Sequence, residues 1–75
     1  MNDITLPMDD EQVMEFVGQY VGKTFNASYI ETIEEHTGRP TRASGKGYIG
    51  TRDFRPERVN VDVNDQGLVI GASFG

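Results

Sequence analysis

The sequence predicts an α+β domain in which a small mixed β-sheet packs on one main α-helix. Three observations predict it. The first half carries two segments with apolar residues at helical spacing. The second half carries a strict alternation of valines. A glycine- and arginine-rich stretch that follows neither period separates them. With 75 residues, one domain spanning residues 1–75 accounts for the whole chain.

Each element follows from its local pattern. A short helix is expected over residues 9–21. Asp9 or Asp10 can cap it, and Val13, Phe16, Val17 and Tyr20 fall at i, i+3, i+4 and i+7. Gly22 ends it. The main helix is expected over residues 24–37 with Thr24 as its cap. Phe25, Tyr29 and Ile33 lie along one line with Ile30 beside them, Gly38 is a natural stop, and Pro40 follows. Residues 39–50 hold few β-formers and read as a weak strand that passes into an exposed loop over 43–57. In "RVNVDVND", Val59, Val61 and Val63 alternate with Asn60, Asp62 and Asn64, which gives a strand over 58–64 with one dry face. "NDQG" is a turn, and a partner strand runs over 68–74. The core expected from these faces is Phe25, Ile30, Ile33, Val59, Val61 and Val63.

Composition removes several functions. There is no cysteine and one histidine, His36, so thiolate and multi-histidine metal sites are excluded and no nucleophile–base pair suggests an enzyme. No cofactor or metal is expected. His36 near a helix end reads as a solvated side chain at the negative pole of the helix dipole. No segment has the apolar length of a membrane span. The first residues lack the basic start and apolar run of a signal peptide, so the chain as given is expected in the cytoplasm. Prior removal of a signal would make it secreted or periplasmic. The net charge of −5 opposes general nucleic-acid binding. It is unevenly spread: residues 1–38 hold eight acids and one lysine, whereas residues 39–58 hold six cations against Asp53 and Glu57.

Several short motifs fail on context. Gly45, Gly47 and Gly50 make G-x-G-x-x-G, but no helix follows to face a pyrophosphate. "GKT" at 22–24 has Val17 where a phosphate-binding loop needs its first glycine. "DVNDQG" starts like a calcium loop but reaches Ser73 where the bidentate acid belongs. "NAS" at 26–28 sits inside an expected helix.

A longer pattern holds together. "VGKT" at 21–24 precedes the main helix, Gly47 precedes the loop, "TRDFRPER" occupies 51–58, and "VNV" with its "NDQG" turn closes the series. This order, over about residues 12–75, resembles the small serine-peptidase inhibitors related to potato inhibitor I, and most of all their bacterial and fungal branch with its fungal elastase inhibitors. The resemblance implies an exposed, substrate-like reactive-site loop through Gly50, Thr51, Arg52, Asp53, Phe54 and Arg55, with Arg52–Asp53 as the scissile bond. It implies a serine endopeptidase as partner, and the Arg52 side chain suits a trypsin-like or a subtilisin-like pocket; the chain is expected to be a monomer. It also implies support of the loop from below by Arg58, with Arg55 nearer the loop and Asn60 where many relatives place a second arginine. The chain departs from the pattern in its less apolar "PTRASGK" strand and at Gly50, where relatives carry a bulkier residue.

Simple physics agrees with such a loop. Pro56 fixes its own φ and biases Arg55 towards extended backbone. A loop held beforehand in its bound shape loses little entropy on binding. A different reading makes residues 39–58 a basic loop of a non-inhibitory protein- or RNA-binding module. Tyr48 and Phe54 are the only aromatics near it, where single-strand binders offer stacking platforms.

Overall fold

The computed structural model describes residues 6–45, 47–48 and 54–75. Helix α1 spans Asp10–Val17 and continues as a 3-10 turn over Gly18–Tyr20. Asp9 caps it: the Gln12 backbone N–H donates to Asp9 Oδ1 at 2.8 Å, and the Asp9 N–H donates to Gln12 Oε1 at 3.1 Å. This reciprocal box satisfies two donors that a helix start leaves unpaired. The α-helix stops earlier than the expected residue 21, because Gly18 tightens the last turn into 3-10 geometry.

Helix α2 spans Ser28–Thr37, and its start corrects the expectation of residue 24. Thr24 is no cap. It forms an antiparallel bridge with Leu68, and the flanking backbone bonds run Gly22 N to Val69 O at 2.8 Å, Val69 N to Lys23 O at 2.9 Å and Phe25 N to Gly67 O at 2.8 Å. Residues 22–25 thus hold the start of the last strand, and a helix there would leave those groups unpaired. Asn26 opens the helix instead: its Oδ1 accepts from Ser28 N–H at 2.9 Å and its carbonyl from Tyr29 N–H at 2.9 Å. At the other end Gly38 takes the left-handed conformation, φ 70°, that closes a helix at little cost for glycine.

Three strands follow: β1 Thr41–Gly45, β2 Val59–Val63 and β3 Val69–Phe74, in the order β1-β2-β3. β1 is parallel to β2 and β2 antiparallel to β3. β1 occupies residues assigned in part to the loop, so the loop begins after Gly45 rather than at 43. Its sequence, Thr-Arg-Ala-Ser-Gly, has little strand propensity, and pairing with β2 decides its conformation. A side chain on Gly45 would overlap the carbonyl oxygen of Val63, which restricts this strand end to glycine.

Ile33, Val59 and Val61 are fully buried and Val63 nearly so, with Val13, Val17, Val69 and Met8 completing the core. Phe25 and Ile30 are corrected to half-buried positions packed against it. Val13 and Val17 enter through the apolar line of α1, so both helices face the same valine layer. Val61 sits at the centre of the middle strand, paired on both sides. Val61→Ala is expected to destabilise the domain by about 2 kcal/mol or somewhat more, through lost burial and the cavity left behind. Urea unfolding of parent and variant measures this, and a loss under ~0.5 kcal/mol contradicts the packing described.

Candidate reactive-loop platform

The connection between β1 and β2 leaves the sheet beside Val63 and re-enters it beside Thr41, because the two strands are parallel and in register. It must therefore return along the sheet. Its upstream side turns at once: Tyr48 N–H donates to Gly45 O at 3.1 Å, and the Tyr48 ring meets Phe25 edge-on at 6.0 Å. Phe25 continues a row of rings through Tyr29 and Tyr20 to Phe16, which stacks on His36 at 4.0 Å. Tyr48 thus rests on helix-side aromatic packing.

The downstream side is held by polar groups. Arg39 is 6% exposed although it carries a full charge. Its Nε donates to Glu57 O at 2.6 Å and one terminal nitrogen to Pro56 O at 3.1 Å. The other terminal nitrogen donates to Met8 O at 3.1 Å and to Asp10 Oδ1 at 2.8 Å. The guanidinium lies 4.7 Å from the Phe74 ring centroid. A buried arginine needs such saturation, since desolvation of the charge otherwise outweighs any attraction.

A second group crosses the open face of the sheet. Arg42 and Asn60 are register partners on β1 and β2, so their side chains share a face. Arg42 Nε donates to Asn60 Oδ1 at 2.8 Å, and Asn60 Nδ2 donates to Gly75 O at 3.4 Å. Arg58 Nε donates to the same oxygen at 3.0 Å, and Gly75 N–H donates to Arg58 O at 3.2 Å. Asn60 is consequently buried, whereas strand alternation alone would leave it in water. The Phe54 ring lies over Gly75: a side chain there would come within 2.7 Å of Phe54 Cε1. Phe54 is otherwise 74% exposed.

Among the sequence-derived site residues, the structure thus brings Arg58, Asn60 and Phe54 together at Gly75. Arg55 is exposed, and its carbonyl accepts from Arg58 N–H at 2.9 Å in the turn that leads into β2. Gly50, Thr51, Arg52 and Asp53 lie outside the described residues. Sequence reasoning missed Arg39, Arg42 and the Tyr48–Phe25 contact. An arginine between Gly38 and Pro40 lies outside both the helix and the strand, and that position is a signal for Arg39. Among the described cations of the stretch 39–58, Arg39, Arg42 and Arg58 bond within the domain, and Arg42, Arg55 and Arg58 each make further interactions.

Other chemistry finds little to build on. Among the described residues no cluster of three histidine, cysteine or acidic side chains can hold a metal, and no helix is long and apolar enough to cross a membrane. An open groove of about 500 Å³ beside α1 is lined by Met8, Gln12, Glu15, Phe16 and Gln19, with a single ionisable group among them.

Comparison with protein-family models and with curated protein sequences finds no match. Solved structures do match. The elastase inhibitor AFUEI, a fungal protein, superposes with a TM-score of 0.63 at 23% identity, over 87% of this chain and 93% of its own. That shows the shared fold. The bitter gourd trypsin inhibitor is 34% identical over 76% of this chain and 85% of its own, with a TM-score of 0.51. The chain belongs to the potato inhibitor I-like protease inhibitors. It is thus placed among inhibitors rather than enzymes, and the α+β arrangement of a helix on a three-stranded mixed sheet is that of both neighbours.

The Arg42–Asn60 bond is testable within this inhibitor domain. Arg42→Ala, Asn60→Ala and the double variant should be non-additive in urea unfolding by about 1 kcal/mol, as befits a part-buried bond to a charged donor. Additivity within ~0.3 kcal/mol means that the two side chains do not interact in solution.

Proposed function

We propose that this chain inhibits a serine endopeptidase by presenting residues 50–55 as a substrate-like loop, one chain to one enzyme. Arg52 enters the primary specificity pocket, and Arg52–Asp53 is the bond offered. The observation that carries this reading is the double anchorage of the connection. Tyr48 is docked upstream, and Phe54, Pro56, Glu57 and Arg58 are docked downstream on groups of the domain itself. Anchored flanks shorten the stretch that binding has to order, and a small ordering cost favours an inhibitor over a substrate. Membership in an inhibitor family, with elastase and trypsin inhibitors as structural neighbours, supports the same reading.

The chemistry is reversible acyl transfer. The peptidase serine attacks the Arg52 carbonyl and the Asp53 amine departs with a proton. An amine kept in place can attack the acyl-enzyme, release the serine and restore the peptide bond. Arg58 bears on this step because it fixes Gly75, on which Phe54 rests.

Incubation with trypsin and with subtilisin tests the proposal. An inhibitor blocks either enzyme in stoichiometric amounts and is recovered intact, whereas rapid digestion of the chain refutes it. Arg52→Leu should weaken trypsin inhibition by roughly a thousandfold, because a buried charge pair is lost, and subtilisin inhibition far less. Equal losses would show that Arg52 does not fill the pocket. Arg58→Ala should stay folded, lose about 1 kcal/mol of stability and be cleaved faster than the parent. Unchanged inhibition and cleavage rates would remove Arg58 from the loop's support.

A further inference from the structure

We propose that Arg39 is a positioning residue for inhibition, one that retains the downstream half of the loop after the Arg52–Asp53 bond is opened. The proposal rests on the inhibitory reading above and adds a residue that the loop pattern does not contain.

The geometry divides the guanidinium into two sides. One terminal nitrogen is fixed by groups outside the loop, the Met8 carbonyl and the Asp10 carboxylate, and the Phe74 ring covers the plane. The segment that supplies these groups is itself docked: Met8 is buried and its N–H donates to Thr37 O at 2.8 Å. Nε and the remaining terminal nitrogen point the other way and hold the consecutive carbonyls of Glu57 and Pro56. A guanidinium is planar and its donors are fixed relative to one another. The partners at Met8, Asp10 and Phe74 therefore dictate where the two carbonyls sit, and none of them lies in the loop.

Opening Arg52–Asp53 leaves those anchors untouched. The new Asp53 amine is three residues upstream of Pro56, so the chain lets it wander no more than about 10 Å from a fixed point. A short tether of that kind keeps a reactant at an effective concentration in the millimolar range or above, and restriction of its orientation raises the value further. Without Arg39 the downstream half keeps only the Phe54 contact with Gly75 and the turn from Arg55 to Arg58, and the amine, less firmly held, competes less well with water for the acyl-enzyme.

Lysine separates this role from a merely structural one. Its ammonium can keep the contact with Met8 and Asp10 but cannot span to both carbonyls. Arg39→Lys, studied where urea curves show it folded, should shift the cleaved-to-intact ratio at hydrolysis equilibrium at least tenfold towards the cleaved form. The same variant should be cleaved at least tenfold faster. Val61→Ala, which lowers stability without touching the loop, should leave both quantities within twofold of the parent. A ratio and rate within twofold of the parent for Arg39→Lys, or an equal shift for Val61→Ala, overturns the proposal. If Arg39→Lys does not fold, the parent decides the matter by NMR: the Arg39 Nε–H should stay protected from solvent exchange after the loop is nicked, and its loss of protection overturns the proposal. A parent that blocks neither trypsin nor subtilisin sinks the inhibitory reading itself, before Arg39 is changed. A parent that inhibits, beside an indistinguishable Arg39→Lys, sinks this proposal alone.

Discussion

Burial of one arginine requires three distant pieces of chain to meet around it. Arg39 takes acceptors from residues 31, 29, 18 and 17 positions away in sequence and an aromatic face from the last strand. Removing a guanidinium from water is costly, so the site forms whole or not at all. The capped start of α1, the entry into β1, the end of the loop and the end of β3 are thereby fixed relative to one another. In a chain of 75 residues, where the apolar core is a single layer of valines under two short helices, such a polar centre sets geometry that burial alone leaves loose.

The two faces of the sheet divide the work. The inner face holds Val59 and Val61 against Ile33 and the valines of α1, with Val63 buried at the strand's end. On the outer face Asn60 and Arg58 donate to one carbonyl at Gly75, and Arg42 holds Asn60. Both faces depend on the same register of β2, since a slip of one residue would exchange the valines for the polar set. The register that builds the core is thus the register that builds the platform for the loop.

Elements whose cause is local were legible in the sequence. Valine alternation marks β2, the Asp9 box opens α1, and Gly38 ends α2. Asn64 fixes the hairpin turn, its Oδ1 accepting from Gln66 N–H and Leu68 N–H at 2.9 Å each. Features with a non-local cause were not. β1 is a strand because β2 lies beside it, and residues 22–25 leave the helix because β3 needs a partner at its edge. Arg39 looks like any loop cation until acceptors from two segments and the Phe74 ring of a third surround it, since charged residues are seldom buried without such partners. The platform was half legible for the same reason. Arg58 and Asn60 follow from the loop pattern, whereas Arg42 reaches Asn60 only through a parallel register that no local rule supplies.

The parallel pairing of β1 and β2 also makes the chain divisible. Both helices and β1 precede the connection, and the β2–β3 hairpin follows it. Each part owns one wall of the core and neither can bury it alone, for Ile33, Val13 and Val17 belong to the first and Val59, Val61 and Val69 to the second. Beyond that shared core, the parts are joined by strand pairing, the clasp of residues 22–25 on 67–69, the Arg42–Asn60 bond and Arg39. The domain is therefore a heterodimer written as one polypeptide, with its subunit interface running through the middle of its own sheet.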